Sequence, residues 1–205
     1  MSDAARLAEQ LRPAIRSERV LAAIASVPRE RFVPVAVRDQ AYENIALPIG
    51  SGQTISQPLV VARMLELLEL RDTDRVLDVG TGSGYHAALL GALAGSVWTI
   101  ELHKKLGAGA RLAIRGLGID NVSFVIGDGS RGLPDEAPFD AINVAAAAAA
   151  GVPAALQDQL AVGGRLVAPV GVADQRLTLI RRGEHRFEAT MLEPVRFVPL
   201  IVGGD

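Results

Sequence analysis

Apolar residues recur at two different spacings along this chain, and the change from one to the other divides it. Between Ala4 and Val27 the apolar positions Leu7, Leu11, Ile15, Val20, Leu21, Ile24 and Val27 are interspersed with charges. This spacing predicts one or two amphipathic helices that stop before Pro28. From Pro28 to Gln57 neither period persists, and Pro34, Pro48, Gly50 and Gly52 punctuate the chain. An irregular stretch of that length predicts a functional or flexible segment. Val61, Met64, Leu65 and Leu68 then share one face of a helix expected from about Pro58 to Leu70, with Ser56 placed as its N-cap.

Beyond Arg75 the pattern changes. Apolar runs at Val76–Val79, Val97–Ile100, Val122–Ile126, Ala141–Val144 and Leu166–Val170 are separated by helix-like segments such as Tyr85–Ala94 and Leu106–Leu117. Runs of this kind predict βαβ units whose parallel sheet is buried on both faces. Two shorter runs, Leu177–Arg181 and Arg186–Leu192, meet at Arg182-Gly183-Glu184-His185 and read as a closing antiparallel hairpin. The expected fold class is α/β: a mostly parallel seven-stranded sheet with helices on both faces and an N-terminal helical extension. A single domain is expected over 1–205, made of the N-terminal extension in 1–57, the α/β core in 58–175, and a C-terminal hairpin and tail in 176–205.

Composition narrows the partners. The formal net charge is −2 and the pI about 5.9, so no basic field attracts nucleic acid or an anionic membrane. Cysteine is absent, which excludes disulfides, thiolate metal sites and a cysteine nucleophile, and a reducing cytoplasmic setting is expected. Asp3, Arg6 and Glu9 precede any apolar run, unlike a secretory leader. The alanines from Ala145 to Ala150 fall well short of the roughly 20 apolar residues that a membrane helix needs.

The chemistry is concentrated at the strand ends. Asp78-Val79-Gly80-Thr81-Gly82-Ser83-Gly84 closes the first strand of the alternating region just before a helix, where α/β sheets bind ligands. Its G-x-G-x-G spacing differs from the G-x-G-x-x-G of dinucleotide sites, and Tyr85 takes the place of the last glycine. Asp78 would repel a diphosphate and attract a sulfonium, so the turn favours a methyl donor over a nicotinamide. Glu101 ends the next strand, where a carboxylate can grip a ribose diol, and Asp128, between Gly127 and Gly129, follows the third within reach of an adenine amino group. Each acid alone is as readily a helix-opening or turn residue. The three histidines, His86, His103 and His185, are expected at the surface without catalytic roles.

At this point the chain resembles the protein-L-isoaspartate (D-aspartate) O-methyltransferase family over nearly its whole length. The resemblance is carried by Val27-Pro28-Arg29-Glu30-Arg31-Phe32-Val33-Pro34, by Ala41 to Gly50 with Gly52-Gln53-Thr54-Ile55-Ser56-Gln57-Pro58, and by Val195-Arg196-Phe197-Val198-Pro199-Leu200. It implies a Rossmann-like class I fold that uses S-adenosylmethionine (AdoMet), with S-adenosylhomocysteine as product, and no metal. The cofactor would be surrounded by Thr54, Ile55, Ser56, Asp78, Gly80, Thr81, Gly82, Ser83, Gly84, Glu101, Leu102, Gly127, Asp128 and Gly129. Ser56 falls on the family's active-site serine. Asn44, Leu47, Pro48, Thr54, Ser56, Val195, Arg196, Phe197 and Val198 would form the cleft for damaged proteins or peptides containing isoaspartyl residues. A monomer is expected.

The chain also departs from that pattern. Unbroken alanine replaces a segment that carries Ala-Ala-Pro, removing a stiffening proline, and Ser130 and Leu133 stand where the family has aromatic residues. Other readings are a methyltransferase acting on an aspartate of a dedicated peptide, a nicotinamide-dependent oxidoreductase, and a binding module that keeps the fold without turnover.

Overall fold

Residues with strong apolar runs become the centre of the sheet, and those with helical spacing cover it. The structure is a computed structural model that describes residues 1–203; Gly204 and Asp205, the end of the tail assigned to 176–205, lie outside the described residues. The N-terminal pattern resolves into two helices, α1 (Asp3–Leu11) and α2 (Glu18–Ser26). Ser2 and Ser17 cap them, their hydroxyls accepting from the amides of Ala5 and Val20. Leu7, Leu11, Leu21 and Ile24 on their inner faces are buried.

The stretch expected to be irregular contains a hairpin, β1 (Leu47–Gly50) and β2 (Gln53–Ile55). Ser51 and Gly52 form its two-residue loop, with φ of 52° and 69°. Two successive positive φ values match the right-handed twist of a hairpin, and the Ser-Gly pair was the available signal. Helix α3 (Pro58–Leu68) follows.

The main sheet comprises β3 (Arg75–Val79), β4 (Ser96–Glu101), β5 (Val122–Ile126), β6 (Phe139–Val144), β7 (Leu160–Val170), β8 (Arg176–Arg182) and β9 (Phe187–Pro194). Their order is β5-β4-β3-β6-β7-β8-β9, parallel from β5 to β7 and antiparallel at β8 and β9. The seven strands and the closing hairpin agree with the pattern read above, although β7 begins six residues earlier than its apolar run.

Alternate residues supply two cores. Val76, Val97, Ala141 and Val167 pack with α1 to α3 and with α4 (Tyr85–Leu93), whereas Leu77, Ile100, Ile142 and Leu166 pack on the other face with Leu156 of α6 (Ala154–Asp158). Helix α5 (Lys104–Arg115) links β4 to β5. Strand order reverses at β3, flanked by β4 and β6, so the turn after β3 opens at a topological switch point. Among the described residues no helix is long and apolar enough to cross a membrane.

Candidate active site

The turn after β3 is shaped by its glycines and tied down by β4. Gly80, Gly82 and Gly84 all have positive φ, and the amides of Gly80 and Thr81 donate to the Ile100 carbonyl at 2.9 and 3.2 Å. Glu101 takes the next amide: its Oε2 accepts from Gly82 at 2.7 Å and its Oε1 from His103 at 2.8 Å. The carboxylate thus fixes the turn and closes one wall of a cavity.

That cavity is lined by Thr54, Ile55 and Ser56, by Gly80 to Ser83, by Glu101 and Leu102, and by Asp128 and Gly129. Leu47 and Ile55 are paired across the β1–β2 hairpin, which carries Thr54 and Ser56 to this edge of the sheet. Tyr85, His86, His103, Ala145, Ala146 and the tail from Val198 to Ile201 also line it. The tail, expected in the substrate cleft alone, also brings its backbone to this cavity because Ala147 bonds it. The Ala147 amide donates to Val198 and its carbonyl accepts from Leu200, both at 2.8 Å. The alanine loop is therefore held by main-chain bonds, with Ala146 to Ala148 buried and Ala149 and Ala150 exposed.

Asp128 lies at the far end, where its Oδ1 accepts from Ser130 and its Oδ2 from Gly203, each at 2.9 Å. Burial alone would raise its carboxyl, but these bonds and the nearby Arg131 hold it below the usual carboxylate range. A second cavity, lined by Asn44, Ile45, Ala46, Gln57, Val60, Val195, Arg196 and Phe197, adjoins the first. Thr54, Ser56, Ala145 and Val198 line both.

Several expected residues lie elsewhere. Gly84 and Gly127 do not line the cavity, and neither Leu47 nor Pro48 lines the second one. Leu47 is buried under the hairpin, and Pro48 is exposed on its outer side. Ser56 is not the cap of α3: Gln57 occupies that position without a capping bond from its side chain. The service comes from Asn44, whose Oδ1 accepts from the Leu59 amide at 3.0 Å. A cap from a distant loop satisfies the same orphan donor and leaves no local sequence signal.

Asp78 is fully buried and faces inward rather than toward a sulfonium. Asn143 Nδ2 donates to its Oδ1 and the Thr99 hydroxyl to its Oδ2, both at 2.7 Å. Thr99 has one proton to give, so Thr81 donates to Thr99 across 2.6 Å. His86 is buried as well, contrary to its expected surface position, with Nδ1 3.3 Å from Asn143 Nδ2. Burial lowers its pKa to about 3, so the ring is neutral.

Burial, opposed by the bonds from Asn143 and Thr99, pushes the Asp78 carboxyl up from 3.8 to about 6. The native chain thus holds this proton more tightly than the unfolded chain, and the resulting stability is complete below pH 3.8 and lost as pH rises through about 6. In an Asp78→Asn variant the hydroxyl chain through Thr99 and Thr81 can reverse direction and remain bonded. Relative to the native chain, the stability of that variant is expected to rise by about 2 kcal/mol from pH 4 to pH 7. Urea denaturation at both pH values measures it, and a difference independent of pH would contradict the assignment.

Among the described residues no cluster of His, Cys, Asp or Glu is arranged to hold a metal ion. Residues 3–204 match the family model described as Protein-L-isoaspartate(D-aspartate) O-methyltransferase (PCMT). A protein-L-isoaspartate O-methyltransferase of Aeromonas salmonicida is 56% identical over 189 residues, covering 92% of each chain. One from Koribacter versatilis is 54% identical, covering 91% of this chain and 84% of its own. A crystal structure of a candidate enzyme of this name from Plasmodium falciparum, in complex with S-adenosyl-L-homocysteine, superposes with a TM-score of 0.85 at 26% identity. It covers 98% of this chain and 99% of that one.

Proposed function

The chain belongs to the protein-L-isoaspartate(D-aspartate) O-methyltransferase family, and from that membership we propose that it methylates the α-carboxylate of L-isoaspartyl residues in damaged proteins, initiating repair through a succinimide. The observation that carries the reading is the meeting of two cavities across Ser56, one lined by acids and the other open to a peptide.

The residues of the first cavity fit AdoMet. Glu101 and Asp128 face it and, among the described residues, neither Lys nor Arg lines it, which suits a cationic nucleoside and disfavours the diphosphate of a nicotinamide cofactor. An ionised carboxylate has about four acceptor sites, so Glu101 can serve two amides and still take ribose hydroxyls. Asp128 would take the adenine amino group. Bound there, AdoMet supplies an electrophilic methyl group on a sulfonium.

The substrate carboxylate is ionised at neutral pH and needs no general base. The work left to the protein is to orient that carboxylate and exclude water, where most of the gain comes from proximity. Gln57 at the N-cap and Val60 in the first turn of α3 line the second cavity, so the positive end of the helix faces the incoming carboxylate beside Ser56. Val195 to Val198 form the opposite wall, where an extended peptide can be held through main-chain contacts that tolerate many flanking sequences. The backbone nitrogen of the following residue then attacks the ester carbonyl and expels methanol, which carries off the amide proton, and hydrolysis of the resulting succinimide returns some normal aspartate.

In this reading the chain acts as one methyltransferase domain and as a cytoplasmic monomer, with the net charge of −2 arguing against polyanionic partners. Ser56→Ala is expected to lower turnover of an isoaspartyl peptide by about 10-fold, the range of a lost orienting contact, while S-adenosylhomocysteine affinity stays within about twofold. Initial rates and calorimetry on the same preparation measure both. Unchanged turnover would remove Ser56 from the mechanism.

A further inference from the structure

Arg29 is buried, with 0% of its surface exposed, yet its partners are carbonyl groups rather than an anion. Its Nε donates to Ala41 at 2.9 Å and its Nη2 to Ser56 at 2.8 Å, with Ile45 at the limit of 3.5 Å. Nη1 has no partner, and the guanidinium carbon sits 4.9 Å from the centre of the Tyr85 ring. Burial pulls its pKa down to about 10, opposed by Tyr85 and Tyr42, so the charge persists at neutral pH.

Burying a charge without an anion is unfavourable, and a fold that needed only two satisfied carbonyls could meet them with neutral donors. What a guanidinium adds is a rigid planar fork that reaches separate segments while one face stacks on an aromatic ring. Those segments matter here. Ala41 opens the loop that carries Asn44 to the substrate cavity, Ser56 lines both cavities, and Tyr85 starts the helix behind the glycine turn. The side chain therefore joins the substrate wall to the cofactor wall from behind.

We propose that Arg29 is a positioning residue for methyl transfer, its guanidinium fixing the Ser56 segment against the turn that carries Tyr85. The proposal rests on the methyl-transfer reading and adds a residue that touches neither ligand. Glu101 ends β4 and Asp128 follows β5, and Arg29 bonds neither, so its loss should lower turnover more than cofactor affinity.

The test compares the native chain, Arg29→Lys, Arg29→Met and a control, Leu156→Ala, which loosens the core on the other face of the sheet. Each is assayed for methyl transfer to an isoaspartyl peptide, for S-adenosylhomocysteine affinity and for thermal stability. In Arg29→Lys, kcat is expected to fall on the order of 10- to 100-fold with cofactor affinity within about twofold. Arg29→Met should fall at least as far, and Leu156→Ala should keep its kcat at equal or lower stability. The proposal is overturned if Arg29→Lys keeps its kcat, if kcat and cofactor affinity fall together, if the control loses as much kcat, or if Arg29→Lys does not fold. A native chain inactive on the peptide would defeat the methyl-transfer reading itself and this proposal with it.

Discussion

Replacing Glu101 with alanine is expected to weaken S-adenosylhomocysteine binding about 100-fold or more. The side chain is nearly buried and does two things at once. It accepts the amides of Gly82 and His103, and it presents its remaining lone pairs to the cavity. Alanine leaves both amides without an acceptor, lets the turn relax, and removes the carboxylate proposed to take the ribose hydroxyls. Hydrogen bonds to a charged group contribute about 1.5–3 kcal/mol each, so losing the equivalent of one to two gives about 3 kcal/mol or more. That corresponds to a Kd raised by two orders of magnitude or so. Calorimetric titration of the folded variant reads this directly, and a Kd within about threefold of the native value would show that Glu101 shapes the turn without holding the nucleoside.

Gly84→Val should have a large effect on stability, although Gly84 lines neither cavity. Its φ is 92°, a conformation that penalises any β-carbon and most of all a branched one. A Cβ built there would lie 2.9 Å from the Ala110 Cβ and 3.2 Å from the Ala110 Cα and the Ile114 side chain, so α5 would have to move. The left-handed strain costs about 1–2 kcal/mol and overpacking about 1–3 more, so a loss of about 4 kcal/mol is expected for valine. That is a large share of the roughly 5–15 kcal/mol by which a domain is stable. Urea denaturation measures it; a loss under about 1 kcal/mol would mean that the turn and α5 are not packed as described.

The parts of this architecture that the sequence discloses are those in which neighbouring residues cooperate. Val76 to Val79 and its counterparts are apolar because both faces of a parallel strand are covered, so their positions and the acids at their ends can be read directly. Longer-range features cannot. Asn44 caps α3 across 15 residues of chain, and nothing near Ser56 reveals that the cap position is already served. Asp78 looks like a ligand-facing acid because it precedes the glycine turn, yet strand alternation sends it inward to Asn143, 65 residues away. The same partner draws His86 into the interior. The alanine loop carries no side-chain signal at all, since Ala147 is held by its backbone. Arg29 appears in the sequence as one charge among Arg29-Glu30-Arg31, and only the fold separates it from exposed Arg31.

Cofactor held in the acidic cavity is expected to pass its methyl group to an isoaspartyl carboxylate in the neighbouring cleft. Labelled AdoMet incubated with a matched pair of peptides, one containing aspartate and the other isoaspartate at the same position, tests it most directly. Base-labile label is expected in the isoaspartyl peptide alone, while equal incorporation into both peptides, or none into either, would rule out isoaspartyl-specific methyl transfer.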